Sequence, residues 1–214
     1  MLHDLITITP RHENAARLIF DKVLDIRGVE APAKMIVTIS GEVGSGKSTV
    51  SVVLGRLLKK QNIRTKIIDL DDYYKIAPRE RRQWRMEKGL ESIGYDEYNW
   101  DKLNQNLTDF KRNRKSQMPC VDLISGNVEE LHTEFKNIDM LIINGLYSLK
   151  VEDADLKVMI EQTYDETRDA QIYSQKESLD SYRLKVLQRE HEVVQSLKSK
   201  ADFYIDFDNS LYHL

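Results

Sequence analysis

Apolar residues along the chain fall into two rhythms. Short β-rich runs occupy Met35 to Ile39, Thr65 to Leu70, Ile138 to Ile143, Leu156 to Ile160 and Asp202 to Ile205. Between them, apolar residues recur at helical spacing: Ala15, Leu18, Ile19, Val23 and Leu24; Val50, Val53, Leu54, Leu57 and Leu58; Trp100, Leu103, Leu107 and Phe110; Leu179, Tyr182, Val186, Val193 and Leu197. Strands alternating with helices predict an α/β, doubly wound fold with a mostly parallel sheet. Two extended segments, Met118 to Ile124 and Val128 to Phe135, flank Ser125-Gly126-Asn127 and predict a small β-hairpin insert.

Local signals bound the helices. Thr9 is the expected N-cap of the first, with Pro10 at its first position and Gly28 as its end. This leader is expected to pack on the sheet edge or on a partner chain, with Arg11 and His12 solvated. A basic helix begins at Pro78 and carries Arg79, Arg81, Arg82, Arg85 and Lys88 among Glu80 and Glu87. Such a run reads as a solvated face, or as a flap that meets an anionic substrate. Asn99 or Asp96 caps a helix from about Trp100 to Arg112.

Composition narrows the function class. The chain has 214 residues and 41% apolar content, which suits one domain with a sizeable core. Its charges balance to −3, which argues against binding duplex nucleic acid by bulk electrostatics. The single Cys120 excludes an internal disulfide and a cysteine-rich metal site. No run approaches the roughly 20 apolar residues of a membrane span, and the N-terminal stretch, with Asp4, does not read as a secretory signal. A cytoplasmic protein without a membrane or nucleic-acid partner is expected, with self-association left open.

The chemistry is concentrated behind the first strand. Residues Gly41, Glu42, Val43, Gly44, Ser45, Gly46, Lys47 and Ser48, followed by Thr49, fit G-x-x-x-x-G-K-[ST] between a strand and a helix. Glycines let several backbone N–H groups converge on phosphate oxygens, helped by the helix dipole. Lys47 adds a charge able to reach the β- and γ-phosphates, and the Ser48 hydroxyl is the expected ligand of a bridging Mg²⁺. Asp69, Asp71 and Asp72 follow the second strand. In an open parallel sheet, that places acidic groups beside the loop of the first.

These residues resemble the uridine kinase and phosphoribulokinase group of P-loop kinases. Beyond the glycine loop, Leu70-Asp71-Asp72-Tyr73-Tyr74 is similar to that family's Asp-x-[Phe/Tyr]-Tyr element, and Tyr95 to Leu103 to its Asp-rich stretch entering a helix. Pro119-x-x-Asp122, Asn144-Gly145-Leu146 and Ala201-Asp202 resemble further elements. The chain departs from the family at Asn144, where a Glu is usual, at Val121, which replaces a Tyr, and in the lid, where Arg168-Asp169, Lys176, Arg183 and Arg189 stand for an arginine-rich run.

The resemblance implies one P-loop kinase domain over 1–214. It has an N-terminal helical extension at 1–30, an acceptor-side insert at 95–136 and a helical lid region at 164–198. It implies Asp71 as general base or metal-side carboxylate, Lys47 and Arg168 as catalytic cations, and Tyr74, Tyr95, Asp96 and Arg183 on the acceptor side. The implied activity transfers the γ-phosphate of ATP, with Mg²⁺, to a hydroxyl of a small metabolite, a nucleoside or sugar-type acceptor. The alternative is a nucleotide-binding switch without kinase activity.

Overall fold

A computed structural model of the chain describes residues 7–30, 33–122, 125–174 and 179–207. Five parallel strands form one sheet: β1 (Met35–Gly41), β2 (Thr65–Asp69), β5 (Met140–Asn144), β6 (Leu156–Ile160) and β7 (Phe203–Ile205), in the order β2-β5-β1-β6-β7. Every residue of β1 and β5 is buried, because helices cover both faces of a parallel sheet.

One face packs on α1 (Pro10–Glu30) and α2 (Lys47–Lys60). Ala15, Ala16, Ile19 and Val23 meet Val50, Leu54 and Leu58 over Val37 and Ile142. The other face is covered by α4 (Trp100–Lys111) and α6 (Ser181–Leu197), through Leu103, Leu107, Phe110, Val194 and Leu197. The remaining helices are α3 (Pro78–Lys88) and α5 (Arg168–Ser174). No helix among the described residues is long and apolar enough to cross a membrane.

The expected hairpin is present as β3 (Lys115–Val121) paired antiparallel with β4 (Val128–Glu134); Ile124, expected in its first arm, lies outside the described residues. A buried polar network bolts it to the body. Asn106 of α4 donates to the Ser116 hydroxyl at 2.7 Å and the Gln117 carbonyl at 2.8 Å, and accepts from the Tyr73 hydroxyl at 2.9 Å. Each member has its partner, which is what makes such a network tolerable in a core.

Two expectations change and a third is met. Gly28 does not end the first helix, which runs to Glu30; a glycine costs a helix only about 1 kcal/mol, too little to stop one held by a buried stripe. That helix lies on α2 and shares a buried cluster with Phe203 and Ile205 of the edge strand β7, as the sheet-edge expectation has it, while Leu24 of its stripe stays exposed. The basic helix α3 is not simply a solvated face, because Arg85 is buried and pairs with buried carboxylates.

Candidate functional site

The glycine loop joins β1 to α2, and two of its glycines make positions no other residue fills without strain. Gly44 has φ +81°, and a Cβ there would stand 2.8 Å from Thr167; Gly46 has φ +83°, and a Cβ would stand 2.7 Å from His12 Nε2. The loop is therefore clasped from both sides. Lys47 Nζ donates to the Glu42 carbonyl at 2.7 Å, and the Ser45 hydroxyl, inside the loop, is buried with no hydrogen-bond partner among the described residues. Ser48 and Thr49 are half-buried in the first turn of α2, where helix N–H groups are unpaired.

Ser48 donates to the Asn144 side-chain oxygen at 3.2 Å. Asn144 ends β5 in register with Ile39 of β1 and with Asp69 of β2, so three neighbouring strand ends carry the loop, the amide and the acidic turn.

The three aspartates of that turn have different work. Asp69 Oδ1 accepts from the Asp71 N–H at 3.0 Å, while its Oδ2 is buried without a partner among the described residues. Burial, then the charge of Asp71, pushes its carboxyl up to about 7. Asp72 accepts from the Val121 N–H at 3.0 Å and so ties the turn to the hairpin. Asp71 is exposed.

Glu42, expected among the phosphate-binding residues, contributes its backbone to the loop and turns its side chain away. The carboxylate is buried and accepts from the Tyr164 N–H at 2.7 Å and from Gln195 Nε2 at 3.0 Å, with His191 Nδ1 at 2.7 Å. Thr167 donates its hydroxyl to the Val43 carbonyl at 2.6 Å. The segment expected to form a lid is thus rooted on the loop. Arg168, exposed, follows Thr167 at the start of α5; Gln175 and Lys176 lie outside the described residues.

Among the residues expected on the acceptor side, Tyr74 packs on Tyr98 with ring centroids 4.0 Å apart, and the Arg81 guanidinium lies 3.3 Å over its ring. Tyr95 is a strut: its hydroxyl meets the Ser196 hydroxyl at 2.8 Å and its ring packs edge-on against Tyr147. Asp96 is exposed, and Lys75 holds its backbone carbonyl at 2.9 Å. Its neighbour Glu97 turns inward to a two-pronged pair with Arg85 at 2.6 and 3.0 Å. Arg85 also meets Glu190 at 3.1 Å, and Arg183 lies 3.4 Å from the other Glu190 oxygen.

His12, expected in solvent, is half-buried against the loop. The Thr9 N–H donates to its Nδ1 at 3.2 Å, which leaves the ring proton on Nε2, the atom nearest Gly46. Burial, then the charge of Arg11, holds its pKa below the usual 6.5. Phe207 packs edge-on against it at 5.6 Å. No local signal marks His12, Glu42 or Glu190; for Arg85 a signal existed, in the spacing of Pro78, Arg81, Arg82 and Arg85 along one helical face.

The family model for phosphoribulokinase and uridine kinase matches residues 36–173. A bifunctional α-galactosidase/sucrose kinase, AgaSK, of Mediterraneibacter gnavus is 24% identical over 94% of this chain, which spans 23% of that protein. A uridine kinase of Staphylococcus aureus is 27% identical over 62% of this chain and 69% of its own length. Among solved structures, a possible uridine kinase from Bacillus stearothermophilus shares the fold, with a TM-score of 0.65 and 17% identity over 90% of this chain and 98% of that one. His12, α6 and Phe207 lie outside the family match.

Proposed function

The chain belongs to the phosphoribulokinase/uridine kinase family, and on that premise we propose that it moves the γ-phosphoryl of ATP to a hydroxyl of a small metabolite, a nucleoside or sugar-type acceptor. The observation that carries this reading is the register Ile39, Asn144, Asp69 across three strand ends, which sets the glycine loop and the exposed Asp71 along one edge. That edge is where open parallel sheets bind ligands.

The loop N–H groups hold the phosphates, and Lys47 swings from the Glu42 carbonyl onto the β- and γ-oxygens. The acceptor hydroxyl gives its proton to the Asp71 carboxylate as its oxygen bonds to the γ-phosphorus. The bond to the β,γ-bridging oxygen breaks and ADP leaves. Arg168, beside the loop at the root of α5, offsets charge on the transferring group. Tyr74, Tyr95, Asp96 and Arg183 are the acceptor-side residues, with Tyr95 holding the wall in place through Ser196.

Mg²⁺ suits the donors present, which are hard oxygens: the Ser48 hydroxyl, the Asn144 amide, Asp71 and Asp69 Oδ2, which has no partner among the described residues. Among the described residues no three His, Cys, Asp or Glu side chains are grouped to hold a metal unaided, which fits an ion that arrives with the nucleotide. When bound it supplies positive charge to the β- and γ-phosphates. Free Cys120 fits a reducing compartment such as the cytoplasm.

The test is purified protein with Mg-ATP and a panel of hydroxyl metabolites. Steady ADP production that depends on one acceptor is expected. ATP binding with no product from any acceptor would sink the kinase reading in favour of a nucleotide-binding switch. Asp71→Asn is expected to lower kcat by about 10²- to 10⁴-fold and to leave ATP affinity nearly intact; a large loss of affinity would make metal binding or folding, and not proton acceptance, the main work of Asp71.

A further inference from the structure

The β3–β4 hairpin has two outer edges, and the chain treats them differently. The Asp122 N–H donates to the Asn127 carbonyl at 2.9 Å, and the Phe135 N–H to the Arg114 carbonyl at 3.2 Å. In an antiparallel ladder every second pair exchanges such bonds. Between these ends the bonded pairs are therefore Cys120–Glu129, Met118–Leu131 and Ser116–Thr133. The alternate residues turn their backbone groups outward: Lys115, Gln117, Pro119 and Val121 on β3, and Val128, Glu130, His132 and Glu134 on β4.

On β3 the outer edge is finished. The Gln117 carbonyl accepts from Asn106, the Val121 N–H donates to Asp72, and Pro119 has no N–H to offer. On β4 the outward backbone groups have no hydrogen-bond partner among the described residues. Six of its seven residues are exposed, Val128 and Leu131 among them. Natural edges are commonly blunted by a lysine, a proline or a bulge. β4 has neither lysine nor proline, and its register with β3 is unbroken.

The side chains of β4 select a partner. Set antiparallel to a second copy of itself with Leu131 on the two-fold axis, the strand pairs along its whole length. Glu130 then faces His132 of the second copy, and the reverse, which sets a carboxylate against a ring able to donate to it. Glu129 faces Thr133, and Glu134 faces Val128. Glu130 and His132 are both outward residues, so ladder bonds form where the free groups are. A slide of two residues one way opposes Glu130 to its own copy, and the other way to Glu134, which sets like charges directly across. Parallel pairing in register sets every glutamate against its copy. At the axis Leu131 meets Leu131, beside the buried Met118 that shares its face of the hairpin.

We propose that this protein self-associates through β4, which pairs antiparallel with β4 of a second copy and joins two hairpins into one four-stranded sheet. A strand pair of this length is small beside the roughly 1,000 Å² of a stable interface, so the dimer is weak and forms as concentration rises. The opposite edge of the hairpin holds the acidic turn through Asp72. One edge thus serves the candidate site and the other the partner, and the pairing does not depend on the kinase reading.

Sedimentation equilibrium over a concentration series tests it. The mass of wild type is expected to rise reversibly from 25.0 kDa toward twice that. His132→Pro removes an outward N–H that β3 does not use, and Leu131→Lys puts a charge on the axis. Each should raise the dissociation constant at least about tenfold while the melting temperature holds. If His132→Pro does not fold, Leu131→Lys decides, since that side chain is already 42% exposed. Cross-linking reads the register in a Cys120→Ser background. Leu131→Cys should oxidise to a linked dimer, because residues facing each other across a non-bonded pair stand about 4.5 Å apart at Cα. Glu130→Cys, set diagonally from its copy, should not. A monomer throughout the series, association unchanged in Leu131→Lys, or a link at Glu130→Cys in place of Leu131→Cys overturns the proposal.

Discussion

Asp69 is the residue whose chemistry depends most on its surroundings. It ends a buried strand, one oxygen caps the following turn, and the other has no partner among the described residues, beside the amide of Asn144. Since Asn144 beside Ser48 is a neutral amide, the carboxylate one strand over is the charged oxygen donor at hand. Asp69→Asn keeps the cap through its amide oxygen and removes the charge. We expect it to weaken Mg²⁺ or Mn²⁺ binding to the ATP complex by about tenfold, or about 1.4 kcal/mol, with metal-free ATP binding unchanged; a Mn²⁺ titration followed by magnetic resonance reads both. Equal metal affinity in the two proteins would return Asp69 to a capping role. None of this is visible in the run Asp69 to Asp72 as written, because identical side chains there are distinguished only by what the hairpin and β5 place against them.

Among the elements, α3 is held by charge. Arg85 and its two carboxylates are nearly inaccessible, with side-chain exposures of 5%, 1% and 5%. Removing one member of a buried ionic cluster leaves the others uncompensated, so Arg85→Met should cost about 3–5 kcal/mol in urea unfolding. Arg81→Met, which strands no carboxylate, should cost much less; equal losses would mean that the cluster is not what holds the helix. The first helix has a different sensitivity. His12 has a folded-state pKa below its ordinary 6.5, so the unfolded chain takes up the proton more readily than the folded one. Stability is then full above that ordinary value and is lost as pH falls through 6.5 toward the lowered one. The urea midpoint should drop between about pH 7.5 and about pH 5.5 by more in wild type than in His12→Gln. Matching drops would show that the histidine is not linked to folding.

Across the whole molecule, the phosphate loop is the meeting point of segments far apart in the chain. Glu42 reaches His191 across 149 positions, Thr167 closes on Val43, and His12 closes on Gly46. Filling the loop should therefore quiet all of them together. At about 100 times its Kd, Mg-ATP should stabilise the protein by about 2.7 kcal/mol, and hydrogen exchange should slow at 42–49, 163–171 and 191–195 at once. In Glu42→Ala the protection at 191–195 should vanish while that at 47–50 persists; unchanged protection would show that the carboxylate couples nothing. The strand and helix order, the hairpin, the glycine loop and the acidic turn after the second strand were legible in the sequence by itself, because periodicity and a contiguous loop motif are local properties carried by neighbouring residues. Only the tertiary structure decided that Arg85 of α3 faces inward, that Glu42 turns from the phosphates to α6, that His12 leaves solvent for the loop, and that Asp69 stands beside Asn144. Each of those depends on which element packs against which, and a side chain's charge, partner and exposure are set by neighbours that the chain order does not name.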